Sequence, residues 1–209
     1  MSYRIKEIYF TQQGEGKNTG KNFVFVRFSG CNLWSGKEKN RESAICKFCD
    51  TDFYGVDGVN GGVYEAKELV RIIKSLWMVD SSPVSAVLTG GEPLLQLDDE
   101  LIQELKKEDI YIAIETNGTL LAPEGIDWIC MSPKAGTEIK LRSGSEIKVV
   151  YPQKDLDPDK FSNLDFKNFF IQPMDSKELE SNVAKSIKFC MDNPKWRLSL
   201  QTHKILGIR

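Results

Sequence analysis

The sequence contains almost no histidine and no excess of positive charge. Its 209 residues include one histidine, His203, so a histidine-centred catalytic triad and a Cys/His zinc site are both poorly supplied. Lysine and arginine total 28 against 30 aspartate and glutamate residues, which gives a net charge of -2. Nucleic-acid-binding domains usually carry a basic excess. We therefore expect no nucleic-acid partner.

Long hydrophobic runs are also absent. No segment approaches the roughly 18 apolar residues that a membrane span needs. The first residues, Met1 to Glu7, lack the apolar core of a signal peptide. We expect a cytoplasmic protein with no membrane partner. The length is close to that of one domain, so residues 1–209 are interpreted as a single domain.

The five cysteines are unevenly distributed. Cys31, Cys46 and Cys49 lie close together, whereas Cys130 and Cys190 are isolated and are interpreted as small apolar core residues. Without an export signal, clustered cysteines indicate metal binding before disulfide formation. Fourteen residues separate Cys31 from Cys46, and two separate Cys46 from Cys49. Three thiolates from one loop suit an iron–sulfur cluster with one open iron.

A structural zinc site is the alternative explanation for these cysteines. It would need a fourth ligand from Asp50, Asp52 or the distant His203. Closed zinc sites are mostly Cys/His tetrads, which makes an acidic fourth ligand unusual. The spacing alone leaves both kinds of site open.

A second motif, Thr89-Gly90-Gly91-Glu92-Pro93, follows a predicted strand. Two glycines let the backbone approach a ligand closely, and exposed backbone groups with a carboxylate suit an α-ammonium group. An ordinary turn that places Pro93 at the first position of a helix is the alternative. Alone, this motif is a weak indication of a binding site.

Runs of β-branched and aromatic residues alternate with helical patterns. Strands are predicted at 23–28, 85–88, 111–115, 128–131, 146–150, 169–172 and 197–201. Helices are predicted at 65–77, after 98–99, and from 175 to just before 193, the last with an apolar face of Leu179, Val183, Ile187 and Met191. This alternation indicates an α/β fold with parallel strands. Because 117–127 and 132–145 are too short or too polar for full helices, we expect a partial barrel with fewer helices than strands.

Together, the cysteine loop and the Gly-Gly-Glu-Pro motif resemble the radical S-adenosylmethionine (SAM) superfamily. The common pattern of that superfamily places its first two cysteines much closer together. The enlarged spacing resembles a branch of the 7-carboxy-7-deazaguanine synthases of queuosine and 7-deazapurine biosynthesis. The other motifs that carry the resemblance are Gln12-Gln13-Gly14-Glu15-Gly16, Arg27, Gly30-Cys31-Asn32-Leu33-Trp34, Phe48-Cys49-Asp50-Thr51-Asp52, Glu115-Thr116-Asn117-Gly118, Ser132-Pro133-Lys134, Gln172-Pro173-Met174-Asp175 and Gln201-Thr202-His203-Lys204.

The resemblance implies a partial (βα) barrel and a lyase that converts 6-carboxy-5,6,7,8-tetrahydropterin to 7-carboxy-7-deazaguanine with loss of ammonia. It implies one [4Fe-4S] cluster, SAM and Mg²⁺ as cofactors, an external electron donor such as flavodoxin or ferredoxin, and a homodimer. No side chain is expected to act as acid or base, since the cluster and SAM carry the chemistry. A glycyl-radical activase is the alternative within the superfamily.

The resemblance also implies roles for individual residues. The cluster ligands are Cys31, Cys46 and Cys49, and the Mg²⁺ ligand is Thr51. SAM is expected to contact Phe48, Cys49, Asp50, Gly91, Glu92, Asn117, Ser132, Pro133, Lys134, Gln172, Pro173, Met174 and Asp175. The pterin is expected to contact Gln12, Gln13, Gly14, Glu15, Arg27, Thr89, His203 and Arg209. Without the resemblance, the sequence favours a solvated strand charge for Arg27.

Overall fold

The computed structural model describes residues 1–209, and its nine strands form one sheet. The strands are β1 (Ser2–Gln12), β2 (Asn22–Phe28), β3 (Gly62–Glu65), β4 (Ser85–Gly90), β5 (Tyr111–Thr116), β6 (Trp128–Met131), β7 (Ser143–Tyr151), β8 (Asp165–Pro173) and β9 (Arg197–Leu198). The helices are α1 (Ala66–Leu76), α2 (Asp99–Lys107), α3 (Leu179–Asp192) and α4 (Thr202–Leu206). None of these helices is both long enough and apolar enough to cross a bilayer.

The sheet is mostly parallel. Its strand order is β3-β1-β2-β4-β5-β6-β7-β8-β9, and every neighbouring pair from β2 to β9 is parallel. Only β1 runs antiparallel to its neighbours β2 and β3. The predicted α/β fold with parallel strands and few helices is confirmed.

All seven predicted strands are present, and the structure contains three further elements that were not predicted, β1, β3 and α4. No strand is predicted for the β1 segment, because its polar residues interrupt the apolar pattern. One of these polar residues, Lys6, is almost buried and pairs with Asp52 and Asp57 across the structure. The last predicted helix starts at Leu179, not at position 175, and the preceding residues form a turn in which Glu178 N donates to Ser176 Oγ.

The main core lies where α1 and α2 cover the first half of the sheet. Leu69 and Ile73 of α1 are buried, as the predicted apolar spacing implies, and α2 buries Leu101 and Leu105. Asp98 caps α2 by accepting a hydrogen bond from Leu101 N at 3.0 Å. These helices hold the strands whose carboxyl ends build the cavity described below.

The predicted apolar face of α3 is wrong. Leu179, Ile187 and Met191 are 43%, 42% and 77% exposed, whereas Asn182 and Ser186 on the neighbouring face of the helix are buried. Asn182 Nδ2 donates to Met174 O (3.0 Å), so α3 supports the backbone that follows β8. This contact and the packing of Phe189 and Cys190 against the core together orient the helix.

The sheet curves into a partial barrel. In a flat sheet, β2 and β8 would lie about 24 Å apart, since neighbouring strands are roughly 4.8 Å apart. Instead, Arg27 of β2 and Gln172 of β8 line the same cavity. The gap is crossed by the loop after β1, where Gly16 N donates to Ser199 Oγ and Gly14 O accepts from Thr202 N, each at 2.9 Å.

Candidate active site

Polar and charged side chains surround a cavity of about 660 Å³ at the carboxyl ends of the parallel strands. This volume is within the range of small-molecule sites, ~300–1,000 Å³. Open α/β sheets gather their ligand groups at this edge. Every predicted site residue except Glu92 and Pro133 lines the cavity. The structure therefore brings together motifs that are scattered over the whole chain.

The three clustered cysteines line one side of this cavity. Cys46 is buried, Cys31 and Cys49 are half-buried, and no disulfide joins them. Burial raises the pKa of the thiols of Cys31 and Cys49. Ligation of iron requires the thiolates, so cluster binding releases their protons.

The donor set around the cavity fits an iron–sulfur cluster. Three cysteines line the cavity, and the other two cysteines of the chain do not. Three thiolates can ligate three irons of a [4Fe-4S] cluster and leave the fourth iron open. A closed zinc site would need a fourth cysteine or histidine. The one histidine, His203, lies against Gly14.

The Gly-Gly-Glu-Pro motif packs directly against the cysteine loop. Gly91 lies against the carbonyl oxygen of Gly30, at a distance that leaves no space for a side chain. Glu92 N donates to the same oxygen at 2.9 Å. The two motifs of the sequence analysis are therefore one structural unit.

Glu92 does not reach the cavity with its side chain. It is 0% exposed, and its carboxylate accepts hydrogen bonds from Leu94 N (3.0 Å), Thr116 Oγ1 (2.7 Å) and Asn117 N (2.7 Å). Burial raises the pKa of this carboxyl, and the three donors offset only part of that effect. The Glu92 carboxylate joins the ends of β4 and β5 behind the cavity wall, and of the predicted pair Gly91-Glu92 only Gly91 lines the cavity. Contact of this pair with the methionine end of SAM stays a prediction.

Residues after β5 and β6 complete this half of the wall. Asn117 Nδ2 donates to Asn32 Oδ1 at 2.9 Å, which connects the end of β5 to the cysteine loop. Lys134 Nζ donates to Ser132 Oγ at 2.8 Å and lies 6.0 Å from the ring centre of Phe48. Burial lowers the pKa of Lys134, and the neighbouring cysteines counteract part of this shift. Pro133 lies between these residues and does not line the cavity.

A buried chain of charges forms the opposite wall. Lys148, 3% exposed, donates to Glu15 Oε2 and lies 3.4 Å from Glu115 Oε2. Gln13 Nε2 donates to Glu115 Oε1, and Gln201 Nε2 donates to Glu15 Oε1, both at 2.8 Å. Burial alone would lower the pKa of Lys148, but Glu115 and Glu15 raise it well above the ordinary lysine value. This wall presents amide and carboxylate groups that can match the polar edge of a heterocycle.

Arg27 points into the cavity from β2, beside Thr89 of β4 in the strand register. It is not a solvated charge, since its side chain is 16% exposed. Nε donates to Glu7 Oε1 at 2.8 Å and Nη2 to Tyr9 OH at 3.0 Å. The second carboxylate oxygen of Glu7 lies 3.5 Å from Arg209 Nη1. The arginine is therefore held in place with Nη1 available to a ligand.

The segment after β9 closes the cavity. His203 lies directly against Gly14, where a Cβ atom would be 2.2 Å from the ring nitrogen Nδ1. Lys204 Nζ bridges Asp50 of the cysteine loop and Asp175 beyond β8, with a distance of 2.6 Å to Asp175 Oδ2. The late segment thereby ties the cysteine loop to the end of β8.

No binding role is predicted from the sequence for four residues that the structure places at the site: Lys148, Glu115, Glu7 and Tyr9. The sequence did contain a signal for Lys148, because this charged residue interrupts the apolar run of β7. Side chains alternate between the two faces of a strand, so Lys148 faces the side opposite to its neighbours in the run. No comparable signal marked Glu7 and Tyr9, because β1 itself was missed.

Comparisons with known proteins agree with the geometry. The family model described as the radical SAM superfamily matches residues 40–149. A protein of Bradyrhizobium diazoefficiens described as 7-carboxy-7-deazaguanine synthase is 54% identical over 100% of both chains. A protein of Caulobacter vibrioides with the same description is 50% identical, again over 100% of both chains.

A solved structure shares the fold. The crystal structure of QueE from Escherichia coli superposes with a TM-score of 0.70 and covers 96% of this chain and 94% of its own, at 24% sequence identity. The full-length identity to the two bacterial synthases and the match to the superfamily model lead to one conclusion. The chain belongs to the 7-carboxy-7-deazaguanine synthase family of the radical SAM superfamily.

Proposed function

We propose that this protein converts 6-carboxy-5,6,7,8-tetrahydropterin to 7-carboxy-7-deazaguanine and ammonia in 7-deazapurine biosynthesis. The observation that carries the proposal is that one cavity has the three cysteines on one side and the chain of Gln13, Glu115, Lys148 and Glu15 on the other. A metal-binding half and a polar half in one cavity suit a reaction between SAM and a polar heterocycle. All nine strands contribute to one sheet, so we also propose that residues 1–209 act as one domain.

Cys31, Cys46 and Cys49 would hold the [4Fe-4S] cluster. When bound, the cluster supplies the electron that cleaves SAM to methionine and a 5′-deoxyadenosyl radical. The backbone at Gly91 and the side chains of Asn117 and Lys134 line the same side of the cavity and would orient SAM. This half of the protein contributes mainly by positioning, which turns an encounter into a directed reaction.

Residues on the opposite side would hold the pterin. Gln13 and Glu115 offer donor and acceptor groups to the heterocycle edge, and Arg27 offers Nη1 to the substrate carboxylate. His203 and the loop at Gly14 cover the substrate and exclude water and other radical quenchers. None of these groups needs to transfer a proton in the step that removes the C6 hydrogen.

We also propose that Mg²⁺ binds beside Thr51. The protein would contribute only the Thr51 hydroxyl, since the adjacent Asp50 and Asp52 pair with Lys204 and Lys6. Mg²⁺ retains water readily and is often shared with its substrate, so the substrate carboxylate and waters would complete the shell. An external one-electron donor and a homodimeric assembly complete the proposal.

The decisive experiment is anaerobic turnover of the reconstituted protein with SAM, a reductant and the carboxytetrahydropterin, with products measured by mass spectrometry. We expect 5′-deoxyadenosine and 7-carboxy-7-deazaguanine to form together. Formation of 5′-deoxyadenosine without the deazaguanine would show that the substrate is wrong. Cys46→Ala should abolish both products, whereas the matched variant Cys190→Ala, outside the cavity, should retain them.

A further inference from the structure

Arg41 lies within the long segment between Cys31 and Cys46, which reads as a charged, solvated loop in the sequence. Its side chain is only 26% exposed. Nη1 donates to the carbonyl oxygens of Lys47 at 3.0 Å and Cys49 at 3.1 Å. Nε donates to Glu38 Oε1 at 2.8 Å, which holds the guanidinium in this orientation. Arg41 therefore joins the long segment to the turn that carries Cys46 and Cys49.

The same guanidinium also contacts the side chain of Trp34, which follows Cys31 in the loop. Its central carbon lies 4.0 Å from the ring centre of Trp34, within the range of a cation–π contact. Trp34 is 8% exposed and packs edge-to-face on Phe53, with ring centres 5.4 Å apart. One side chain thus spans the two parts of the loop that carry the three cysteines.

Backbone hydrogen bonds close the loop on either side of the Cys46–Cys49 turn. Leu33 O accepts from Ile45 N (3.1 Å) and Cys46 N (3.3 Å), and Gly30 N donates to Phe53 O (3.3 Å). Between these bonds, Arg41 supplies the hydrogen bonds to the carbonyl groups of Lys47 and Cys49. A planar guanidinium can address two carbonyl groups at once.

We propose that Arg41 is a positioning residue for the [4Fe-4S] cluster, which fixes the Cys46–Cys49 turn relative to Cys31 and places a permanent positive charge beside the ligand turn. The inference rests on the proposed cluster site. Hydrogen bonds and charges around a cluster influence both its retention and its reduction potential. A positive charge stabilises the reduced cluster, and the paired Glu38 carboxylate offsets part of this effect. Loss of Arg41 alone would leave Glu38 unpaired and make the cluster harder to reduce.

Iron retention and the reduction potential test this role without turnover. Arg41→Gln removes the charge and the fork, and Arg41→Lys keeps the charge but loses the planar fork. Lys39→Gln is the matched control, since Lys39 lies in the same segment, is exposed and makes no ion pair or side-chain hydrogen bond. Each protein is reconstituted anaerobically, treated with an iron chelator, and titrated by electron paramagnetic resonance in the absence of SAM.

Arg41→Gln should lose iron roughly tenfold faster than the wild type and show a more negative potential. Arg41→Lys should keep a potential closer to the wild type but still lose iron faster, whereas Lys39→Gln should match the wild type. The proposal would be overturned if Arg41→Gln or Arg41→Lys lost iron at the same rate as the wild type. It would also be overturned if Lys39→Gln lost iron as fast as Arg41→Gln. If Arg41→Gln does not fold, as judged by circular dichroism, iron loss in Arg41→Lys decides alone.

The cysteine variants separate this inference from the proposed function. If Cys31→Ala, Cys46→Ala and Cys49→Ala retain full iron, the cluster site itself is wrong. If these variants lose iron while Arg41→Gln behaves like the wild type, the cluster site stands and only the role of Arg41 is wrong.

Discussion

A Cβ atom added to Gly91 would lie 1.7 Å from the carbonyl oxygen of Gly30 and 3.2 Å from Cys31 Cβ. No side chain fits in such a gap, so the glycine-rich motif and the cysteine loop make contact through their backbones. The position of Cys31 therefore depends on a residue sixty positions later in the chain.

Gly91→Ala should displace the cysteine loop and lower the iron content after reconstitution. The added methyl group overlaps a backbone oxygen, which cannot rotate away as a flexible side chain could. We expect the free energy of unfolding to fall by about 1–3 kcal/mol, as for overpacked sites. Iron analysis and urea unfolding test both effects. Gly20→Ala is the control, because its Cβ meets no atom within 4 Å and only its positive φ of 85° causes strain. Equal iron contents in the two variants would contradict the prediction.

Glu92→Gln should destabilise the protein and weaken SAM binding. The carboxylate accepts from three donors, so one oxygen replaced by an NH₂ group would face a donor. We expect a loss of about 1–3 kcal/mol in the free energy of unfolding, the usual effect of an unsatisfied buried group. SAM affinity should also decrease, because Glu92 holds the Asn117 backbone. Urea unfolding and calorimetric titration measure the two effects, and Glu68→Gln, on the exposed face of α1, should change neither.

Lys148→Met should be among the most damaging single substitutions in the cavity wall. It leaves Glu15 and Glu115 with no cation inside the protein, and an uncompensated buried charge typically costs about 3–5 kcal/mol. The matched control is Lys188→Met, which removes an exposed pair with Asp192 and should leave the free energy of unfolding nearly unchanged. Chemical unfolding compares the two. The double variant Lys148→Met/Glu15→Gln should recover part of the loss, and no recovery would argue against the pair.

The contribution of Glu15 to stability should depend on pH in the acidic range. Burial alone would raise the pKa of Glu15, but Lys148 and Gln201 outweigh it and lower the pKa to about 2. The unfolded value is about 4.3. Because the folded pKa is the lower one, the stabilisation is complete above about pH 4.3 and is lost as the pH falls towards about 2.

The comparison of wild type with Glu15→Gln isolates this effect. The difference in the free energy of unfolding should be largest near neutral pH, with an upper bound of about 3 kcal/mol, and should shrink towards pH 2. Urea unfolding of the cluster-free proteins at several pH values measures it. A difference that stays constant between neutral pH and about pH 2 would refute the lowered pKa.

Much of the fold and site was predictable because the signals are local. Helices α1 and α2 follow from apolar spacing and the Asp98 cap, and these forces act within a few residues. The proposed metal site is suggested by the spacing of Cys31, Cys46 and Cys49 within one loop. In contrast, the face that α3 buries depends on tertiary contacts of Asn182 with Met174 O and of Phe189 and Cys190 with the second core, so periodicity selected the wrong face.

The sequence by itself determined the α/β class and the family, and it predicted the three thiol ligands, since all of these depend on residue types at short spacings. Only the tertiary structure decided which charges meet. Lys148 pairs with Glu15, Lys204 joins Asp50 to Asp175, and the Arg41 guanidinium turns inward to the cysteine turn. The physical reason is clearest for Lys148 and Glu15, since a buried charge is stable only beside its partner. Curvature of the sheet brings such partners together from distant parts of the chain.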